Sequence, residues 1–146
     1  MSRLPNILPT IQALVQCYQA FNAYSGAHIR ALGLTPSQFD IIATLGNTPG
    51  ITATELGDKT LITKGTLTGV VDRLIARGWV KRMAHESDGR CQIIRLTASG
   101  EALFAEVFPA HMAHMDACFA GATAKDHAQW RAALSSLKQA LLREST

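Results

Sequence analysis

The stretch "ITKGTLTGVVDRLIARGWVKR", residues 62–82, decides the fold. Leu67, Val70, Val71, Leu74 and Ile75 recur at the spacing of one helical face, which points at a core. The other side of the first turns carries Lys64, Gly65, Thr66, Thr68 and Gly69, where a stable helix would hold Ala, Glu or Lys. Small residues let a helix backbone come close to another surface. A threonine hydroxyl can meet a phosphate or a base edge, and its methyl a thymine methyl. The first-turn N–H groups behind Thr63 suit a phosphate. The bland alternative is that Gly65 and Gly69 merely permit tight helix packing inside the protein.

Upstream, "TATE" (Thr52 to Glu55) is a capping box that opens a short helix ending near Thr60. "TPSQ" (Thr35 to Gln38) opens the helix before it, with Pro36 at the first helical position and Phe39, Ile42 and Leu45 on its apolar face. A long first helix is predicted from about Pro9 toward Arg30, with Gly33 closing it. Downstream the period changes. Gly78 stops the helix that Thr63 caps, and "WVKRMA" and "CQIIRL" alternate as strands around "HESDG", a polar turn. Thr97 then caps a long helix to about Phe119, which Pro109 should kink or break. Thr123 caps a last helix carrying Trp130, Leu134, Leu137 and Leu141.

A short helix, a tight turn and a second helix form a helix-turn-helix, whose second helix lies in the major groove. Charge agrees. Residues 59–95 hold eight basic side chains and three acids, a net +5 in a chain of net +3. A basic segment in a weakly acidic frame is the footprint of a polyanion-binding surface. Arg90 sits at the hairpin tip, where it can enter a narrow minor groove, with Asp88 near enough to hold it. Ile7, Ile11, Leu14 and Tyr18 near one end, and Leu134, Leu137 and Leu141 near the other, exceed what one small domain can bury. A second copy is the simplest partner.

The run from "LTPSQFDIIATL" through "ITATELGDKTLITKGTLTGVVDRLIARGWVKR" to "DGRCQIIRLTASGEALF" resembles MarR-type winged helix-turn-helix regulators. Asp88-x-Arg90 and Leu96-Thr97-x-x-Gly100 carry most of the likeness. The resemblance implies a mainly α fold with a small β-hairpin wing, in one domain over 1–146. The winged lobe spans 34–98, and dimerisation helices span 5–32 and 99–144. It implies a homodimer on a pseudo-palindromic double-stranded operator and repression relieved by a small molecule. By this likeness Thr63, Lys64, Thr66, Thr68 and Arg73 contact DNA from the helix, and Arg90 from the wing. Arg73 could equally pair with Asp72 or Asp88.

Family members often take small aromatic acids beside the dimerisation helices. Tyr24, His28, Arg30, Phe39 and His111 are the candidates here, with rings to stack on a ligand and His28 or Arg30 to meet its carboxylate. Each is also plausible as core or as a solvated helix end. His111, His114 and Cys118 share one helix face, and His28 could complete a zinc tetrahedron, but Met112, Met115 and Phe119 surround them at core spacing. The resemblance also implies a peroxide-sensing reading, since one branch of the family uses a cysteine in the first helix with tyrosines nearby, as Cys17 has Tyr18 and Tyr24. Yet Cys17 lies closer to the Leu-Thr that opens the second helix than that branch's cysteine, and has no obvious cationic neighbour to activate it. We expect neither a bound metal nor a cofactor.

The chain of 146 residues has no apolar run long enough to span a membrane, no signal-peptide pattern, and three widely spaced cysteines. These point to a cytoplasmic protein without disulfides. No phosphate loop, paired carboxylates or nucleophile–base set argues for an enzyme. The readings of other classes are a zinc- or redox-responsive regulator of the same fold, and a winged-helix module that binds only protein. An exposed apolar or aromatic patch on the recognition helix would favour the module.

Overall fold

The computed structural model describes residues 4–60, 62–85, 87, 89 and 91–143. Its elements in order are α1 (Leu4–Ala31), α2 (Pro36–Leu45), β1 (Ile51–Thr52), α3 (Ala53–Thr60), α4 (Lys64–Ala76), β2 (Val80–Ala84), β3 (Gln92–Leu96), α5 (Ala98–Cys118) and α6 (Ala124–Leu142). They fall into two compact units, Met1–His114 and Met115–Thr146.

In the first unit, α2, α3 and α4 pack with a small antiparallel sheet. Ile41, Ile42, Leu45, Leu56, Val71, Leu74 and Val80 are fully buried there. The sheet has three strands, in the order β1-β3-β2, where the sequence showed two. β2 pairs along β3 from Val80 opposite Leu96 to Ala84 opposite Gln92. β1 adds Ile51 opposite Ile94 and Thr52 opposite Ile93. A two-residue strand has no period to read, and Thr52 also starts the next helix.

Local chemistry sets the boundaries. Thr35 Oγ1 accepts from the Gln38 N–H at 3.2 Å, and Gln38 Oε1 accepts from the Thr35 N–H at 3.0 Å, a complete capping box. Thr52 Oγ1 accepts from the Glu55 N–H, but the Glu55 carboxylate takes the Thr52 hydroxyl rather than its N–H. Thr123 and Asp126 close a full box on α6. Thr63 holds the N-cap position of α4 without capping through its side chain; its hydroxyl donates to Thr66 Oγ1 at 3.2 Å instead.

Two expectations about proline change. α1 starts at Leu4 rather than near Pro9, and α5 runs through Pro109 without a break. Each proline removes one backbone bond and crowds the preceding turn, and helices of 28 and 21 residues absorb that loss. The start of α5 is fixed to the wing. Thr97 N–H donates to the Trp79 carbonyl at 3.0 Å, its hydroxyl donates to the Gly78 carbonyl, and its oxygen accepts from the Gly100 N–H at 3.1 Å.

In the second unit α6 buries no residue, and Trp130, Leu134, Leu141 and Leu142 are exposed. Phe119, His127 and Trp130 form an aromatic group there, with centroids 5.2–5.9 Å apart.

Candidate nucleic-acid interface

α4 buries Leu67, Val70, Val71 and Leu74, and Ile75 packs partly against the same core. Its other side is bare. Thr63, Lys64, Thr66, Thr68 and Arg73 are all exposed. A methyl built on Gly65 or Gly69 would meet nothing within 4 Å. That argues against the bland alternative, because among the described residues no neighbouring helix needs these glycines to be small. Gly65, Thr68, Gly69 and Asp72 lie at i, i+3, i+4 and i+7, so one low face runs from the helix start toward the sheet.

That face borders a cavity of about 390 Å³ lined by Thr68, Asp72, Arg82 and Gln92, with Ala53, Val71 and Ile94 at its apolar wall. Arg82 on β2 donates to Asp72 Oδ1 at 2.7 Å and ties the hairpin to α4. Asp72 therefore pairs with Arg82 rather than with Arg73. The sequence offered no signal for this pair, whose members lie ten residues apart on different elements. Arg77 stacks on Trp79 at 4.3 Å, the kind of contact that holds a guanidinium in one orientation. Lys59, Lys64, Arg73, Lys81 and Arg82 are exposed, so most of the basic segment faces outward. The wing-tip residues Arg90 and Asp88 lie outside the described residues. Beside them the His85 N–H donates to the Cys91 carbonyl at 2.8 Å, which continues the ladder past Ala84.

Between α1 and α5 the structure brings together four of the five effector candidates, with His114, which the sequence grouped with His111 and His28 only as a metal set, and Ser25, which it did not single out. Tyr24 stacks on His114 at 4.3 Å, and its hydroxyl donates to the His114 carbonyl at 2.7 Å. His28 Nδ1 and His111 Nδ1 are 2.9 Å apart, Ser25 Oγ is 3.1 Å from His111 Nε2, and Phe39 of α2 meets His111 edge-on at 4.6 Å. His111 is 3% exposed. Arg30 is exposed and its guanidinium lies back along α1 over Gly26. Burial first, then repulsion among the imidazoles, holds His28 and His111 below the ordinary 6.5. Burial also raises the Asp40 carboxyl. Among the described residues, no three His, Cys, Asp or Glu side chains are placed to hold a metal ion. Cys17, Cys91 and Cys118 are free thiols. No described helix is long and apolar enough to cross a membrane.

Comparison with known proteins fits this geometry. The family model described as "MarR family" matches residues 32–90. The HTH-type transcriptional regulator MhqR of Bacillus subtilis is 31% identical over 103 residues, 70% of this chain and 71% of that protein. The structure of NadR in complex with 4-hydroxyphenylacetate is similar at 25% identity, with a TM-score of 0.73 over 86% of this chain and 89% of that one. A mutant MarR from E. coli complexed with operator DNA shares the fold at 22% identity, with a TM-score of 0.79 over 94% of this chain and 99% of that one. With MhqR 31% identical over 70% of its length, this chain belongs to the MarR family of DNA-binding transcriptional regulators, which are not enzymes.

Proposed function

We propose that the chain acts as a cytoplasmic homodimeric repressor of a pseudo-palindromic operator, released by a small aromatic acid. The observation that carries this reading is the α4 face, open around Gly65 and Gly69 and edged by exposed Lys64 and Arg73. Thr63, Lys64, Thr66, Thr68 and Arg73 meet the major groove, and Arg90 meets the minor groove from the wing tip.

Dimerisation is supported by two unpartnered apolar surfaces. Ile7, Ile11, Val15, Tyr18 and Phe21 of α1 are exposed, Tyr18 by 62%. α6 exposes Trp130, Leu134 and Leu141. Surfaces of this kind on a monomer mark interaction sites. The winged lobe over 34–98 is then the reading head, and the helices over 5–32 and 99–144 join the copies. Two recognition helices spaced about 34 Å apart would enter successive major grooves.

For the effector, Tyr24, His28, Phe39 and His111 supply rings for stacking and imidazole N–H groups for a carboxylate, with Arg30 exposed on α1 one turn beyond Gly26. The similar protein NadR was crystallised with 4-hydroxyphenylacetate, an acid of this class. A ligand lowers operator affinity by the difference in its affinity for the free and DNA-bound states.

Fluorescence anisotropy on the chain's own upstream promoter duplex tests the reading. Binding should prefer the promoter over a scrambled duplex and weaken steeply between about 50 and 200 mM salt, because each phosphate contact releases counterions. Equal, weak binding to both duplexes would overturn it. A panel of aromatic acids at millimolar concentration should then release the protein, and no release by any would remove the effector class. Two variants divide the roles. Lys64→Ala should weaken binding to all sequences alike and flatten the salt slope by about one unit. Thr68→Ala should change the preferred bases at one position more than the overall affinity; the same uniform loss in both variants would contradict the division.

A further inference from the structure

Three imidazoles meet between α1 and α5, and their contacts admit only a limited number of protons. His28 Nδ1 faces His111 Nδ1 at 2.9 Å, and one hydrogen fits between them. In the neutral pair one ring donates that N–H and the other accepts. His28 also lies flat on His114, with centroids 4.1 Å apart and planes within 6°. Nε2 of His114 is buried with no hydrogen-bond partner.

We propose that this cluster is a proton-operated latch between α1 and α5, closed with at most one added proton and opened by a second, so that operator affinity falls in mild acid. Its output rests on the DNA-binding reading; the latch itself does not. One added proton makes a single imidazolium that keeps the same N–H···N bond. A second places N–H groups on both facing nitrogens, which 2.9 Å cannot accommodate. His114 lies flat against His28, and its buried Nε2 has no hydrogen-bond partner to offer the pair.

Among the described residues no opposite charge is paired with the cluster. From α1 it faces the Tyr24 and Ser25 hydroxyls, from α2 the Phe39 ring, and from α5 its own imidazoles. Among the described residues no carboxylate is hydrogen-bonded or ion-paired to any of the three; Asp40, next to Phe39 in the chain, is not. The charges acting on His28 and His111 are those of the other imidazoles, and burial acts in the same direction. With folded values below the ordinary 6.5, the stability contributed by the neutral cluster is complete above about pH 6.5. It is lost as pH falls through the folded values. The latch links the apolar surface of α1 to the helix that begins at the wing, so opening it changes how firmly the winged lobe is held.

The sign of the effect is diagnostic. Added positive charge on a DNA-binding surface strengthens attraction to phosphate in acid. The latch predicts the reverse. Promoter-duplex affinity of the full chain should fall about tenfold or more from pH 7.5 to 5.5, about 1.4 kcal/mol. In His28→Asn the amide keeps a partner for His111 Nδ1 but cannot titrate, so the loss should shrink to under about threefold. Proton NMR of the wild type should show two of the five histidines titrating below 6.5. The proposal is overturned by affinity that is flat or rises in acid, by an equal acid loss in His28→Asn, or by five ordinary titrations. If the variant does not fold, the wild-type titrations decide alone. If the protein binds no DNA at pH 7.5, the DNA reading fails while the latch is still tested: the melting temperature must drop below pH 6.5 in the wild type and much less in His28→Asn.

Discussion

Gly69→Ala, alone or with Gly65→Ala, is expected to make the protein more stable and a worse DNA binder. Inside the chain an added methyl at either position meets nothing within 4 Å. Alanine is favoured over glycine in a helix interior by about 1 kcal/mol, and Gly69 lies one turn inside α4. The melting temperature should therefore rise by about 3 °C for the single variant. The same methyl projects from the bare face that we place in the groove. A methyl between a helix backbone and the phosphates or base edges forces the helix outward, and every contact of Thr66, Thr68 and Lys64 lengthens together. Operator affinity should fall at least about tenfold for Gly69→Ala and further for the pair, with each tenfold loss about 1.4 kcal/mol. Thermal melts and anisotropy on the same preparations check both halves. Unchanged affinity would move the DNA off this face. A lower melting temperature would mean that the glycines serve internal packing after all.

That pair of effects shows what the sequence could and could not reveal. The contrast between an apolar stripe and a stripped face was legible because helical spacing alone sorts Leu67, Val70, Val71 and Leu74 from Gly65, Thr68 and Gly69. Capping residues were legible for the same reason: Thr35 with Gln38, and Thr97 with Gly100, act within four residues of each other. Features that depend on two distant elements meeting were not. Strand β1 exists because Ile51 lands opposite Ile94, and nothing within two residues announces a strand. Arg82 reaches Asp72 only because the wing folds back on α4. His111 and His114 were visible on one face of a helix, and His28 was weighed with them. Their facing nitrogens, and Ser25 behind His111, depend on how α1 crosses α5. Pro109 does not break α5, because a local penalty of one lost backbone bond is small beside the packing of a long helix.

The closing glycine of Leu96-Thr97-x-x-Gly100 was recognised from resemblance, and the structure supplies a physical reason for it. Gly100→Ala is expected to be the most damaging small substitution in the chain. A methyl there runs into the Trp79 carbonyl oxygen and crowds Leu96 Cβ at 3.2 Å. That oxygen cannot move aside cheaply, because it accepts the Thr97 N–H, while Thr97 in turn holds Gly78 and caps α5. Either α5 lifts from the wing or the wing strand leaves its register. Both lose several bonds at once beside Val80, Leu96 and Val107, which are buried. The cost should be about 3 kcal/mol or more, since large losses come from clashes that fixed backbone cannot relieve. Ser99→Ala, one residue away and exposed, should stay within about 0.5 kcal/mol. Urea unfolding of the two variants reads the difference directly. A Gly100→Ala protein within 1 kcal/mol of wild type would show that the wing–helix corner yields where we hold it rigid. Rigidity at that corner also has a functional consequence. Under the proposed effector and latch readings, it would carry a displacement of α5 to the wing and α4 as a change of angle instead of letting it dissipate in a loose joint.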